Sequence, residues 1–123
     1  MAPDLLFAYG TLGPSSDEEA RRGGWVADAV RGRLFDLGPY PGLVDCGVES
    51  AGWVEGHVRR VELRELVERL DPYEGVEEGL YRRIVARTRG GRAAWVYEFA
   101  GRLPADARGP LRRWRGRDDE YPS

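Results

Sequence analysis

Residues 80–99 read LYRRIVARTRGGRAAWVYEF, in which two runs rich in aliphatic and aromatic residues stand on either side of Gly90-Gly91. A pair of glycines between such runs is typical of a two-residue hairpin turn, because both glycines can adopt the positive φ angles of that turn. The sequence therefore predicts two antiparallel strands, Leu80 to Arg89 and Arg92 to Phe99, joined by a tight turn.

Three segments before the hairpin are also predicted to be strands. Leu5 to Tyr9 is a short apolar run that Gly10 ends, which is typical of a buried strand. Trp25 to Leu37 is predicted to be one long or bent strand with a break near Gly32. Trp53 to Val61 alternates between its two faces with the period of a strand.

The segment GPYPG, residues 38–42, is predicted to be a turn that interrupts the sheet. Proline has no amide hydrogen to donate to a strand ladder, and glycine favours turns. We therefore expect no strand to run through this segment.

Two helices are predicted. Ser16 and Glu19 have the spacing of a capping box, and the short helix that they begin ends at Gly23-Gly24. A second helix is indicated by four apolar residues that share one helical stripe, namely Leu63, Leu66, Val67 and Leu70. Pro72 is predicted to end this helix, because proline disfavours the helical conformation of the residue before it and has no amide hydrogen. Glu74 would then lie in the loop that follows.

Together these elements predict one α+β domain. The chain has 123 residues, of which 41% are hydrophobic and 33% charged, and this is typical of a single folded domain. About six strands in mostly meander order favour a small mixed or antiparallel β-barrel with one or two flanking helices. We expect the domain to span residues 1–123, with an irregular tail from about residue 104.

Composition excludes several classes of function. Cys46 is the only cysteine and His57 the only histidine, so an internal disulfide and a zinc site built from several such ligands are excluded. The net charge is -2, from 19 basic and 21 acidic residues, which favours neither nucleic acid nor an anionic membrane. Asp4 lies where a signal peptide would carry positive charge, and no apolar run is long enough to span a bilayer, so we expect a cytoplasmic protein.

Protein nucleophiles are poorly supported by the sequence. A Ser-His-Asp triad would need His57, which falls in the middle of a predicted strand, and a structural role is the simpler interpretation. Cys46 has no predicted base or helix terminus near it, so it is interpreted as a structural thiol.

Two segments remain as candidates for chemistry. Tyr9-Gly10-Thr11-Leu12 is a glycine turn directly after a strand, where successive backbone amides can converge on an anion, although such turns are common. Glu74 lies between an aromatic residue and a glycine, and burial in an apolar cleft would raise its pKa and suit it to acid/base work. The alternative is that Glu74 is one more solvated acid among 21. Tyr81 and Arg83 share one strand face and could orient Glu74 or a substrate carboxylate, or simply pack and be solvated.

Five segments resemble, in order, the signatures of the γ-glutamylcyclotransferase-like family, in the branch of short bacterial and plant proteins also called avirulence-induced-gene-like. They are FAYGTL at 7–12, LGPYPGLV at 37–44, GWVEGHV at 52–58, LDPYEG at 70–75 and YRR at 81–83. The resemblance extends over most of the chain, to about Phe99. It implies a small mixed barrel with flanking helices and a cavity at one end.

The resemblance also implies an activity. A γ-glutamyl amino acid or γ-glutamyl amine would be cyclised to 5-oxoproline with release of the amine, without a metal or organic cofactor. The family's signature loop implies substrate binding by Tyr9, Gly10, Thr11 and Leu12, and the family's glutamate implies acid/base catalysis by Glu74. Tyr40 and the loop around it would exclude water from the cleft. A small γ-glutamyl substrate is the expected partner, and a monomer or weak homo-oligomer is the expected state.

Two other interpretations stay open at this point. The same cleft could bind a small carboxylate or a peptide end without catalysis. The arginine-rich segment 112–117 could contact nucleic acid, but the acidic residues at 118–120 cancel much of its charge, so no nucleic-acid partner is expected.

Overall fold

The structure is a computed structural model that describes residues 2–10, 12–14 and 16–114. Thr11 and the second half of the arginine-rich segment, from residue 115 onward, lie outside the described residues. The described part contains eight strands: β1 (Leu5–Ala8), β2 (Val26–Arg31), β3 (Arg33–Asp36), β4 (Pro41–Val44), β5 (Trp53–Arg60), β6 (Tyr81–Arg87), β7 (Ala93–Phe99) and β8 (Arg108–Leu111).

The strands of the described residues form two sheets. The larger sheet has the order β2-β5-β1-β7-β6, and the smaller one has the order β4-β3-β8. In the larger sheet β1 is antiparallel to β5 and parallel to β7, so its end lies between these two strands. The predicted mixed α+β fold is confirmed, with the strands paired in two sheets rather than in one closed ring.

The core is divided by β1 into two clusters. Leu6 and Phe7 are both fully buried, and as consecutive strand residues they point to opposite faces of the sheet. Phe7 packs in one cluster with Val54 of β5, whereas Leu6 packs in the other with Leu66 and residues of β7. The apolar run at the start of the chain is therefore a strand buried on both faces, as its pattern predicted.

The hairpin is confirmed, but its turn differs from the prediction. The backbone N–H of Thr88 donates to the carbonyl of Arg92 (2.8 Å), so three residues, not two, lie between the last paired residues. The N–H of Gly91 donates to the carbonyl of Thr88 (2.9 Å), and Gly91 alone of the two glycines has positive φ, at 84°. Such a three-residue loop needs only one residue in the left-handed region.

The first helix, α1, spans Asp17–Arg22 and begins as predicted. The side-chain oxygen of Ser16 accepts a hydrogen bond from the backbone N–H of Glu19 (3.1 Å), and Gly23 caps the other end. None of the helices in the described part of the chain is both long enough and apolar enough to cross a bilayer.

Three strand predictions need correction. The predicted strand from Trp25 to Leu37 breaks at Gly32 into β2 and β3, which belong to different sheets. Pro41 and Gly42, assigned to a turn, begin β4; an edge strand tolerates proline as its first residue, because no ladder hydrogen bond is then lost. The tail beyond residue 104 was expected to be irregular, but Arg108–Leu111 forms β8, which pairs with β3.

The second helical segment also departs from the prediction. It consists of α2 (Leu63–Glu65), a π-helical turn (Leu66–Leu70) and α3 (Asp71–Tyr73), so the chain remains helical through Pro72. The N–H of Asp71 donates to the carbonyl of Leu66, five residues back. Because this wider turn already interrupts the regular ladder, the missing amide hydrogen of Pro72 does not end the helix.

The apolar stripe of this segment is narrower than predicted. Leu66 and Leu70 are buried against the sheet, whereas Leu63 and Val67 are 59% and 51% exposed. The extra residue in the π-helical turn changes the angle between successive side chains, so a stripe drawn for a regular α-helix does not stay on one face.

Candidate active site

A cleft of about 240 Å³ brings Glu74 together with the turn that follows β1. Its lining is mostly aromatic and aliphatic and consists of Phe7, Ala8, Tyr9, Gly10, Leu12, Pro39, Tyr40, Pro41, Tyr73, Glu74, Leu80, Tyr81 and Tyr97. Six of the residues singled out in the sequence are thus in one cleft: Tyr9, Gly10, Leu12, Tyr40, Glu74 and Tyr81. Arg83 does not line it, and Thr11 lies outside the described residues.

Glu74 is held at the end of α3 by a Schellman motif. The N–H of Val76 donates to the carbonyl of Asp71 and the N–H of Gly75 to that of Pro72, both at 3.1 Å. Gly75 has a φ of 65°, which suits the left-handed position that ends this motif. Glu74 directly precedes that position, and its own N–H still bonds the carbonyl of Leu70 (2.9 Å). The backbone that carries the carboxyl group is therefore fixed by hydrogen bonds on both sides.

Asp71 ties this helical end to the large sheet. Arg83 of β6 donates to both oxygens of the Asp71 carboxylate, at 2.8 and 3.1 Å, and the hydroxyl of Tyr97 donates to the first of these oxygens at 2.6 Å. The guanidinium of Arg83 also stacks 4.3 Å from the ring centroid of Trp95. Arg83, which the sequence suggested as a direct partner of Glu74 or substrate, instead anchors the turn on which Glu74 lies.

Tyr97 and Asp71 are site residues that the sequence reasoning missed. Tyr97 lines the cleft, and its backbone carbonyl accepts a hydrogen bond from the Tyr9 hydroxyl (2.5 Å). Tyr97 lies on β7 opposite Arg83 of β6. The predicted two-residue turn would have shifted this pairing by one residue. The contact with Asp71 was not predictable from the sequence, because it depends on the helix continuing past Pro72.

Burial makes Glu74 an unusual carboxyl group. Desolvation raises its pKa from 4.5 to about 7, because the charged form is disfavoured in the apolar cleft. Among the described residues, no hydrogen bond or ion pair to its side chain offsets this effect. A carboxyl group with such a pKa can both accept and return a proton near neutral pH.

The turn after β1 packs tightly against β4. The N–H of Gly13 donates to the carbonyl of Gly10 (2.9 Å) and closes the turn. Burial first, and then nearby acidic groups, raise the pKa of Tyr9 well above its ordinary value, so its hydroxyl stays a neutral donor. A Cβ at Gly10 would lie 2.6 Å from Cγ of Pro41, which leaves no room for a side chain.

We expect Gly10→Ala to destabilise the protein by about 1–3 kcal/mol, because the rigid Pro41 ring cannot move aside without displacing β4. Urea denaturation measures this change. Gly52→Ala is the matched control, because an added Cβ there would meet no atom within 4 Å. Equal stabilities of the two variants would show that the turn is not held against Pro41.

Tyr40 and Tyr81 form the wall of the cleft that faces β4. The hydroxyl of Tyr81 donates to the carbonyl of Pro41 (2.5 Å), and the ring of Tyr40 meets that of Tyr81 edge-on with centroids 6.1 Å apart. Burial, with Glu74 and Tyr40 nearby, raises the pKa of Tyr81, so this hydroxyl also remains protonated. The segment 39–41 is thereby held over the cleft.

The other candidate groups lie apart from this cleft. Burial raises the pKa of the Cys46 thiol to about 12, which disfavours the reactive thiolate. The backbone N–H of Cys46 donates to the Glu98 carboxylate (2.9 Å). His57 lies within β5, as predicted. Among the described residues, no three His, Cys, Asp or Glu side chains are grouped as a metal site would require.

Solved structures share this fold. A crystal structure of an AIG2-like protein from Mus musculus matches with a TM-score of 0.62 and 18% identity, over 99% of this chain and 92% of that one. An uncharacterized protein from Pyrococcus horikoshii matches with a TM-score of 0.57 and 22% identity, over 84% and 83%. No curated protein sequence matches the chain. The family model described as "Gamma-glutamyl cyclotransferase, AIG2-like" matches residues 6–116, and because that range is most of the chain, the protein belongs to this family.

Proposed function

We propose that the protein is a γ-glutamyl cyclotransferase, which converts a γ-glutamyl amino acid or γ-glutamyl amine to 5-oxoproline and releases the amine. Membership of the family supports this reaction class. The observation that carries the proposal is the position of Glu74: a carboxyl group with a pKa of about 7 shares one cleft with the turn at Gly10.

The reaction needs no protein nucleophile. The α-nitrogen of the substrate attacks its own γ-carbonyl carbon, a C–N bond forms within the new ring, and the C–N bond to the departing amine breaks. The attacking ammonium loses two protons and the departing nitrogen gains two, so the reaction is balanced with the amine released as its cation. Glu74 accepts protons from the first nitrogen and returns them to the second.

Positioning is the second contribution of the cleft. Ring closure is intramolecular, and holding the folded conformer can contribute up to about 7–11 kcal/mol to catalysis. The aromatic walls formed by Tyr40, Tyr81 and Tyr97 limit the space to about 240 Å³ and keep the substrate near Glu74. Backbone amides of the Gly10 to Leu12 turn are the proposed donors to the negative oxygens of the substrate.

A product assay tests this function. The purified protein is incubated with a panel of γ-glutamyl amino acids and γ-glutamyl amines, and 5-oxoproline is measured by mass spectrometry. We expect stoichiometric 5-oxoproline and amine from at least one substrate class. If no substrate in the panel gives product, while a small carboxylate or peptide end binds the cleft, the protein is a binding module and the proposal is wrong.

The pH dependence should report Glu74. Because the carboxylate form is the proton acceptor and its pKa is about 7, kcat/KM should rise with pH through an acidic limb near pH 7 rather than near 4.5. Steady-state rates from about pH 5 to about pH 9 measure this limb. A limb centred near 4.5 would indicate a solvated carboxylate and contradict the assigned environment.

A further inference from the structure

Two tyrosines that line the cleft with Glu74 donate their hydroxyl protons to other parts of the protein. The hydroxyl of Tyr81 donates to the backbone carbonyl of Pro41. The hydroxyl of Tyr97 donates to the Asp71 carboxylate. A tyrosine hydroxyl has a single proton to donate, but its oxygen can also accept hydrogen bonds. Toward a ligand in the cleft, these two hydroxyls therefore act as acceptors.

The acceptor role is fixed most firmly at Tyr97. Its hydroxyl oxygen lies 2.6 Å from the Asp71 carboxylate, which Arg83 holds in place by two hydrogen bonds. If the Tyr97 hydroxyl rotated away, a charge-assisted hydrogen bond in a buried environment would be lost. The proton of Tyr81 is held by a backbone carbonyl, which has no proton to give in return. Neither hydroxyl is thus available as a donor to a carboxylate of the substrate.

Both hydroxyls lie near the carboxyl group of Glu74. The three side chains line the same cleft of about 240 Å³. Burial is the main cause of the raised pKa of the Tyr81 and Tyr97 hydroxyls, and the charge of Glu74 contributes to each. Because both protons are bonded elsewhere, neither hydroxyl donates to Glu74. The cleft thus combines a carboxylate with two neutral acceptor oxygens.

The charge of the cleft also favours a cation. Glu74 is the only charged residue among the described residues that line it. Arg83 is bonded to Asp71 and does not line the cleft. A cation in the cleft would therefore meet one carboxylate and two hydroxyl oxygens. A primary ammonium group has three N–H donors, and this number matches the three acceptors.

We propose that Glu74, Tyr81 and Tyr97 together bind the α-ammonium group of the substrate, with one N–H directed to each side chain. This inference rests on the proposed cyclotransferase function, which supplies the identity of the ligand. The negative oxygens of the substrate would lie at the turn after β1. The two tyrosines hold the α-nitrogen beside Glu74 while the carboxylate accepts its proton.

Glutamate and glutarate test this site, because glutarate lacks only the α-ammonium group. Calorimetry at about pH 8, where Glu74 is mostly ionised, measures both dissociation constants. Glutamate should bind about tenfold or more tightly than glutarate, as expected for hydrogen bonds to a charged group. Both compounds carry the same two carboxylates, so repulsion from Glu74 cancels in the ratio. Equal dissociation constants would overturn the ammonium site.

Two variants assign this preference to the tyrosines. Tyr81→Phe and Tyr97→Phe each keep the aromatic ring and remove one acceptor oxygen. Each should reduce the ratio between the two dissociation constants severalfold, because glutamate binds more weakly while the binding of glutarate is nearly unchanged. If neither variant changed the ratio, the hydroxyls would not bind the ammonium group.

Arg83→Lys is the control for a structural effect of Tyr97→Phe. It loosens the Asp71 carboxylate to which Tyr97 donates, but it removes no acceptor from the cleft. We therefore expect Arg83→Lys to affect glutamate and glutarate alike and to leave their ratio unchanged. If Tyr97→Phe also weakened both compounds alike, its hydroxyl would only anchor Asp71, and the proposed contact with the ammonium group would be wrong.

The two proposals fail in different ways. If 5-oxoproline is formed but glutamate binds no better than glutarate, the ammonium site is wrong and the cyclotransferase function stands. If no 5-oxoproline is formed but glutamate is preferred and both tyrosine variants reduce the preference, the ammonium site stands and the cyclotransferase function is wrong.

Discussion

Glu74→Gln is expected to lower kcat for 5-oxoproline formation by about 10²–10⁴-fold, the usual contribution of a positioned general acid/base. The amide has nearly the same shape as the carboxyl group but neither accepts nor returns a proton at neutral pH. Because substrate contacts to the rest of the cleft remain, KM should change much less than kcat. Steady-state kinetics measure both constants.

A neighbouring acid serves as the control for this variant. Glu77 is exposed and does not line the cleft, so Glu77→Gln should retain full activity. If Glu74→Gln turned over substrate as fast as Glu77→Gln, Glu74 would not be the proton carrier.

The fold of the Glu74→Gln variant can be checked by its stability. The pKa of Glu74 is raised on folding from 4.5 to about 7, so protonation favours the folded state. This contribution is complete below about pH 4.5 and is lost as the pH rises through about 7. The Gln variant has no such loss. The difference in melting temperature, variant minus unmodified protein, should therefore increase as the pH rises from about 4.5 to about 7.

Arg83→Leu is expected to lower the free energy of unfolding by about 2–4 kcal/mol, because it leaves the Asp71 carboxylate without its cation. The two side chains are only 16% and 19% exposed, so water compensates little. The variant should also lower kcat by about tenfold or more, because the turn that carries Glu74 loses its anchor on β6. Urea denaturation and steady-state kinetics measure the two effects.

Two further variants, Arg83→Lys and Arg64→Leu, show whether Arg83 positions the turn that carries Glu74 or only stabilises the fold. Arg83→Lys keeps the charge but loses the two-point contact, and it should recover part of both losses. Arg64→Leu breaks the exposed pair with Glu68 on the same helical segment and should change stability by no more than about 0.5 kcal/mol. If Arg83→Leu were no more harmful than Arg64→Leu, the Asp71 anchor would contribute nothing to the site.

Local signals were sufficient for several elements of the fold. The glycine pair at 90–91 marked the hairpin, and Ser16 with Glu19 marked the start of α1, because each signal acts within a few residues. β8 could not be found in this way, since RGPL has no strand pattern and is ordered by its pairing with β3. Pro72 misled the helix prediction because the π-helical turn before it is not visible in the apolar pattern.

The candidate site was only partly accessible from the sequence. Glu74 and the Tyr9 to Leu12 turn are far apart in the chain, and only the family resemblance connected them before the structure placed the described members in one cleft. Arg83 was suggested as a partner of Glu74 or of a substrate carboxylate, or as a packing residue, because it shares a strand face with Tyr81. In the structure Asp71 stays helical and faces Arg83, and such a pairing between a helix and a strand leaves no periodic signal.

A crystal structure of the protein with bound 5-oxoproline tests the assignment of this cleft most directly. The expected result is the product ring between the turn at Gly10 and the carboxyl group of Glu74, with the ring nitrogen within about 3.2 Å of a Glu74 oxygen. A product bound elsewhere, or a Glu74 side chain that faces solvent with the product in the cleft, would contradict the proposed catalytic role.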